Sequence, residues 1–526
     1  MDEKMERRIK SLREIREKAK LGGGEEKIAK VHAKGKLSAR ERLDKLLDPG
    51  SFVDLGLLVG YFNDAPGDGI VAGYGTINGR MVSVYAQDPT VLGGSIGGVH
   101  GNRMYRVVER AMDMRIPFIG LHDSPGARLP KLGEGQTAMG GGGGGGGEKH
   151  GGSVFSPNTW ASGVIPQISA ILGSCAGIAV YSPALTDFIF MVDKLSNMFI
   201  TGPRMVKTVM GETLTDDELG GAAIHCAKSG VADMRLPSEE ECFATIRDLI
   251  SFLPPSCDEL PPRVETGDDP DRYIDDLADM VPSDPSKAFD MRKVVRKIVD
   301  NGHFLEIKPE FAREIIVGFG RLDGHTVGIV ANNSMFMAGS LTVDSSDKQA
   351  RFMRFCDCFN IPIALLIDTS AYMPGSDQEH KGIIRHGAKV LYALCEATVP
   401  RISIIMRKAY GGGNLGMGCI PGMGTDLFYN WPIMEVGVMG AKASVELMYA
   451  ADIMKAENPD EVRAQKLLEY EERYSNPMRE SSANPYGDTI EPRETRRVLI
   501  NGFKLLAKKK VKRPGTEVKK HGNMPL

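Results

Sequence analysis

Two short turns carry the residues best suited to chemistry. Each follows a strand-like run and is built mainly of small residues: Gly173-Ser174-Cys175-Ala176-Gly177-Ile178-Ala179 and Arg407-Lys408-Ala409-Tyr410-Gly411-Gly412-Gly413. Where small residues open a helix, its first backbone N–H groups have no partner inside the helix. Donors of that kind can hold an oxyanion, such as the enolate of a thioester. A single turn of this sort is more often a packing device, because glycine lets helix and strand approach closely. Other candidates are weaker. Gly93-Gly94-Ser95-Ile96-Gly97 fits the G-x-S-x-G nucleophile elbow, yet Gln87 to Leu92 separate it from the preceding strand and no Asp and His follow in the expected order. The ten histidines form no H-x-x-x-H or H-E-x-x-H pair, which argues against a zinc hydrolase. His386 reads as a packed or capping residue. The basic stretch Lys34, Lys36, Arg40 and Arg42 reads as a solvated helix start, with a phosphorylated ligand as the alternative.

The elements that position the two turns repeat. Ile70-Val71-Ala72-Gly73-Tyr74-Gly75-Thr76-Ile77-Asn78-Gly79 matches Ile315-Ile316-Val317-Gly318-Phe319-Gly320-Arg321-Leu322-Asp323-Gly324. The same offset holds for Val82/Val327, Ile116-Pro117/Ile361-Pro362 and Asp123/Asp368. After one length change, Ile165-Pro166-Gln167-Ile168-Ser169 aligns with Val399-Pro400-Arg401-Ile402-Ser403, and Gly177 falls on Gly411. The repeat therefore makes the two glycine turns equivalent and predicts two oxyanion holes facing one site. Runs such as Met81–Ala86 and Phe118–His122 read as buried strands. Arg103–Met112 and Lys348–Phe359 read as helices between them. Asn78-Gly79 and Asp323-Gly324 are hairpin turns. Strands alternating with helices give an α/β class, in two domains.

Composition bounds the function. The 526 residues carry 42% hydrophobic and 25% charged residues, with a formal net charge of −3. That balance gives no electrostatic case for binding nucleic acid. The eight cysteines include no C-x-x-C pair, and with no apolar region near Met1 to Lys20 the expectation is a cytoplasmic protein with reduced thiols. Leu253 to Pro285 is rich in Pro and Asp and reads as the linker between the copies. Gly140–Gly147, a run of glycines in the first copy only, reads as a lid or as a low-complexity expansion.

Several long runs resemble a known family. They are Gly35-Lys36-Leu37-Ser38-Ala39-Arg40-Glu41-Arg42, Ala179–Val192, Met198-Phe199-Ile200-Thr201-Gly202-Pro203, Gly382-Ile383-Ile384-Arg385-His386-Gly387-Ala388-Lys389 and Arg407–Gly412. Over nearly its whole length the chain resembles the carboxyltransferase (β) subunit of biotin-dependent acyl-CoA carboxylases, of the propionyl-CoA and 3-methylcrotonyl-CoA carboxylase type. The resemblance implies two tandem crotonase-like domains, residues 1–265 on the acyl-CoA side and 266–526 on the biotin side. It implies a homohexamer, in which acyl-CoA on one chain meets biotin on its dimer partner. The amides of Gly177 and Ile178 would hold the thioester enolate, and those of Gly412 and Gly413 the biotin ureido oxygen. Ala127, Arg128, Ala176, Gly202 and Leu415 would contact the acyl-CoA, and Gly382, Ile384, Tyr410 and Gly411 the biotin. This scheme needs no side-chain base and no metal in this chain.

The chain lacks an Ala-Met-Lys-Met biotinylation motif and an ATP-grasp glycine loop. The resemblance therefore implies a separate biotin carrier and a biotin carboxylase subunit. Similar subunits serve sodium-translocating acyl-CoA decarboxylases with membrane partners, and that reading stays open, as does a biotin-independent crotonase-type enzyme. Three departures stand out. Ile178 replaces a glycine, Pro125 removes a donor from the Asp123–Arg128 loop, and Leu415 stands where propionyl-type enzymes carry an aspartate. The run Gly413-Asn414-Leu415-Gly416-Met417 is more similar to 3-methylcrotonyl-CoA carboxylases and points to a larger or unsaturated acyl group.

Overall fold

Asn78-Gly79 and Asp323-Gly324 form the hairpins their sequence demands in the computed structural model. Asn78 and Gly79 have φ of 52° and 75°, and Asp323 and Gly324 have 52° and 74°. Positive φ at both central residues is the type I′ geometry, whose twist matches the flanking strands. The structure describes residues 2–128, 155–419, 423–474, 476–482, 484–511 and 520–524. The polyglycine run lies outside the described residues.

The described chain forms two mixed sheets. The first holds β1 (Val53–Asp54), β2 (Ile70–Ile77), β3 (Arg80–Gln87), β4 (Phe118–Ser124), β5 (Gln167–Ala176), β6 (Phe188–Val192), β7 (Asn197–Phe199) and β8 (Met234–Leu236). Its order is β1-β2-β3-β4-β5-β6-β8, with β7 also on β5. The second holds β9 (Leu305–Ile307), β10 (Ile315–Leu322), β11 (His325–Asn332), β12 (Ile363–Thr369), β13 (Arg401–Tyr410), β14 (Leu427–Asn430) and β15 (Glu435–Gly437). Its order is β14-β13-β12-β11-β10-β9, with β15 also on β13. In each sheet an antiparallel hairpin leads into parallel strands that carry helices between them.

The repeat extends to the hydrogen-bond register. The β4–β5 ladder slips between His122 and Ser124, and the β12–β13 ladder slips at the equivalent place, between Ile367 and Thr369. Ile96 bridges Ala127 in parallel, as Leu341 bridges Tyr372. The Ile96 amide donates to Gly126 O at 2.8 Å and the Leu341 amide to Ala371 O at 2.9 Å. The helices Gly98–Met114 and Val343–Cys358 are each followed by a left-handed residue, Arg115 at φ 54° and Asn360 at φ 57°. The first helix buries Met104, Val107 and Val108 with Ile70, Tyr85 and Phe118. The second packs Phe352 and Phe355 against Phe319 of β10. Each such side chain contributes about 1.5–3 kcal/mol of burial.

The chain divides into two units, Met1–Glu259 with His521–Pro525, and Leu260–Lys520. The Pro- and Asp-rich stretch is therefore not a free tether. From Leu260 onward it is built into the second unit. The Val264 amide donates to Gly324 O at 3.0 Å. Asp268 pairs with Arg272 at 2.6 Å, and Ile274 and Leu277 join the second core. Acidic residues that composition assigns to solvent find arginines, and the few apolar residues among them find a core. In the first unit Asn523 returns to donate to Asp187 at 2.7 Å. No described helix is long and apolar enough to cross a membrane.

Candidate functional site

The two glycine turns sit at equivalent strand ends. β5 ends at Ala176 and Gly177 turns with φ 58°; β13 ends at Tyr410 and Gly411 turns with φ 52°. Each glycine opens a short helical segment, Gly177–Val180 or Gly411–Gly416, and no side chain caps either one. The opening amides therefore lack both an intrahelical partner and a capping side chain. A short strand lies beside each turn, with Phe199 paired to Ala176 and Gly437 to Tyr410. The next residues, Ile200 and Val438, are 66% and 83% exposed. Gly202 then starts the helix Pro203–Met210, as Gly440 starts Ala441–Met448.

The turns differ in what lines them. Ile178, exposed, is replaced by Gly412 in the second turn, which presents backbone alone. Ala127, also exposed, is replaced by Tyr372. The Tyr372 ring lies between two helices. A Cβ on Gly387 would come within 3.1 Å of it, one on Gly412 within 3.0 Å, and one on Gly416 within 2.6 Å of its hydroxyl. Burial pushes the Tyr372 hydroxyl up to about 12, so it stays protonated and donates to Gly387 O at 3.5 Å. Sequence reasoning missed this residue, although its match to Ala127 at the repeat offset would have found it.

A buried carboxylate lies beneath each turn. In the first unit Asp123 accepts from Arg42 at 3.1 Å and from Lys36 at 3.2 Å. Arg42 is fully buried and also holds Glu239 at 2.7 Å and Leu172 O at 2.8 Å. Burial pushes the Glu239 carboxyl up, against the pull of Arg42. Gly173 makes room for this cluster, since a Cβ there would meet Asp123 at 2.1 Å and Lys36 at 2.3 Å. The residue equivalent to Gly173 is Arg407. It pairs through two bonds with Asp368, at 3.0 and 2.8 Å, and both side chains are fully buried. Its remaining nitrogen donates to the carbonyls of Pro282, Asp284 and Lys287. Lys36 and Arg42 are thus neither solvated nor open to a ligand, and Arg40 pairs with Asp54 at 2.6 Å.

The remaining candidates fall as follows. Arg128 is held by Asp68 at 2.8 Å and by the hydroxyl and carbonyl of Ser95 at 3.1 and 2.8 Å. Ser95 in turn donates to Leu92 O at 2.7 Å. His100 lies between Asp68 O at 3.0 Å and Gln87 at 3.2 Å. Ser95 and His100 are each engaged elsewhere, which removes the hydrolase reading. Pro125 is exposed, and the Gly126 amide donates to Ser124 Oγ. Tyr410 donates to Glu435 at 2.5 Å. Gly382 joins two helices with φ 85°, Ile384 is 79% exposed just after it, and Leu415 is 38% exposed in the second turn. His386 packs as a partner of Asp347 at 2.8 Å. Asp187 accepts from the Gln167 amide at the start of β5, at the far end of that strand from Gly177. It is therefore not placed to serve the Gly177 turn as the acid or base that a biotin-independent crotonase-type reaction would need.

A profile of the carboxyl transferase domain matches residues 30–524. The chain belongs to the carboxyl transferase family. It is 48% identical to the carboxyltransferase subunit of propionyl-CoA carboxylase from Haloferax mediterranei, over 99% of this chain and 100% of that one. It is 45% identical to the α subunit of methylmalonyl-CoA decarboxylase from Veillonella parvula, over 99% of both chains. Among solved structures it superposes on transcarboxylase 12S, a hexamer with methylmalonyl-coenzyme A and methylmalonic acid bound, at a TM-score of 0.89 and 41% identity, over 99% of this chain and 98% of that one. The repeat is therefore two tandem crotonase-like domains, as the resemblance implied. The chain is an acyl-CoA carboxyltransferase of the biotin-dependent carboxylase and decarboxylase group.

Proposed function

We propose that the carboxyltransferase moves CO₂ between carboxybiotin and an acyl-CoA or enoyl-CoA, with the first unit binding the thioester and the second the biotin. The equivalence of the Gly177 and Gly411 turns carries this reading. In the first unit the amides of Gly177 and Ile178 hold the charge that builds on the thioester oxygen as the α- or γ-proton leaves. Donors fixed in advance cost no reorganisation when that charge forms, and one of them contributes about 10²–10³-fold in rate. Ala127, Ala176 and Gly202 shape the walls around that oxygen. Arg128 acts by holding the Ala127 loop through Asp68 and Ser95.

The second turn fits a flat urea. Gly411, Gly412 and Gly413 offer three successive residues without side chains, and the Tyr372 ring lies where a Cβ on Gly412 would reach. The amides of Gly412 and Gly413 would hold biotin by its ureido oxygen, and biotin would supply the CO₂ and, on releasing it, take the proton that leaves the acyl-CoA. Tyr410 and Gly411 orient those amides, while Gly382 and Ile384 lie at the open end of the neighbouring helix and contact the rest of the biotin. Leu415 would face the acyl group held by the first unit of the dimer partner.

The biotin arrives on a separate carrier, with a biotin carboxylase subunit as the second partner, and the assembly is a cytoplasmic homohexamer, a reading that the hexamer of transcarboxylase 12S supports in its subunit number. The decarboxylase relatives favour a second reading, in which the same subunit hands CO₂ from a carboxylated acyl-CoA toward membrane partners. The test is incubation of the chain with free biotin and malonyl-, methylmalonyl-, glutaconyl- or 3-methylglutaconyl-CoA, followed by mass spectrometry. Biotin-dependent loss of CO₂ from one of them is expected. Equal loss without biotin would overturn the reading.

A further inference from the structure

A second site lies in the second unit, at the opposite end of β13 from the Gly411 turn. There an open cavity of about 260 Å³ lies at the N-terminal ends of β11, β12 and β13. Leu322, Val327, Pro362, Pro400, Ile500 and Phe503 supply apolar walls. Arg263, Lys504 and His325 stand at the rim with Asp323. Arg263 and Lys504 share the one Asp323 carboxylate, at 3.1 and 2.9 Å, so these three groups carry one net positive charge. Thr326 also lines the cavity. It is 3% exposed, and its hydroxyl has no hydrogen-bond partner.

The equivalent positions in the first unit carry longer side chains. There the positions of His325 and Asn360 belong to Arg80 and Arg115. Arg80 reaches Ile250 O at 2.6 Å, and Arg115 pairs with Asp258 at 3.3 Å. Two long side chains cross the edge that His325 and Asn360 leave open, and Met81 stands where Thr326 supplies a hydroxyl. The second copy thus has shorter side chains and a surplus cation around one apolar space.

We propose that this cavity binds a small amphiphilic monoanion, a carboxylate on a compact apolar body. The apolar body enters between Phe503 and the prolines, and the carboxylate meets Lys504 and Arg263 at the rim.

The test is ¹⁹F NMR titration of the full chain with 4-(trifluoromethyl)benzoate, with 4-(trifluoromethyl)benzyl alcohol as the uncharged comparison. Saturable binding of the benzoate is expected. Ala507→Trp, which fills the cavity from the end of its last helix, should weaken both probes at least tenfold. Lys504→Met, at a side chain 53% exposed, should weaken the benzoate about tenfold and leave the alcohol within twofold. It keeps the test available if the tryptophan variant does not fold. No saturable binding to the wild-type chain, or binding unchanged in the variants, would overturn the proposal.

Discussion

The two units set the same glycine turn on the same strand end and support it in different ways. Beneath Gly177, Asp123 is held by cations that arrive from the N-terminal segment, and the strand position nearest to it must be Gly173 to admit them. Beneath Gly411, the strand position is itself the cation, Arg407, and Asp368 is paired within its own sheet. Above the turns the difference runs the other way. The first unit offers Ala127 and an exposed isoleucine, while the second offers an aromatic ring and bare glycine. Duplication has kept the amides and the carboxylate fixed and let everything around them specialise.

The largest effect expected from breaking this comparison is on stability. Arg407→Met leaves Asp368 buried without its charge partner and should cost about 3–5 kcal/mol, read by denaturant unfolding. Lys36→Met leaves Asp123 with Arg42 and should cost less, about 1–3 kcal/mol. An equal loss in both would mean that the supports are not as different as their geometry.

Acid should separate the units next. Burial lowers the His100 imidazole to about 4, whereas the equivalent residue, Ser345, does not titrate. Between about pH 6.5 and 4 the unfolded chain binds a proton at this residue that the folded chain refuses. Its contribution is therefore complete above about pH 6.5 and is lost as pH falls, by about 2 kcal/mol at pH 5. Hydrogen exchange in β2–β4 should quicken over that range, and His100→Gln should remove only about half of the dependence, because burial also lowers the His122 imidazole of β4, to about 3. The smallest effect belongs to Tyr372→Phe. It removes only a 3.5 Å hydrogen bond and should cost less than about 1 kcal/mol in thermal unfolding, with the ring still lining Gly412. A larger loss would give the hydroxyl a role beyond packing.

Much of this was legible in the sequence, and the parts that were share one property. The hairpins, the repeat and the paired turns are written in local residues whose backbone needs are specific, such as Asn78-Gly79 and Gly177. What was not legible depends on contacts between distant residues. Arg42 meets Glu239 across 197 positions, and a basic stretch read alone looks solvated. Tyr372 meets Gly387, Gly412 and Gly416 only after two helices pack. The boundary between the units, after Glu259, does fall in the Pro- and Asp-rich stretch, but composition does not reveal that Asp268 has Arg272 and Arg496 beside it.

The central claim is that two equivalent amide turns serve two different reactants. Ile178→Pro and Gly412→Pro each remove one N–H from the first helical turn, and at Gly412 the new Cβ also comes within 3.0 Å of the Tyr372 ring. The measurement is biotin-dependent decarboxylation beside acyl-CoA affinity for both variants. The account predicts turnover about 10²–10³-fold lower in each, with acyl-CoA affinity in Gly412→Pro within twofold of the wild-type chain. Undiminished turnover in either variant, or loss of acyl-CoA binding in Gly412→Pro, would contradict it.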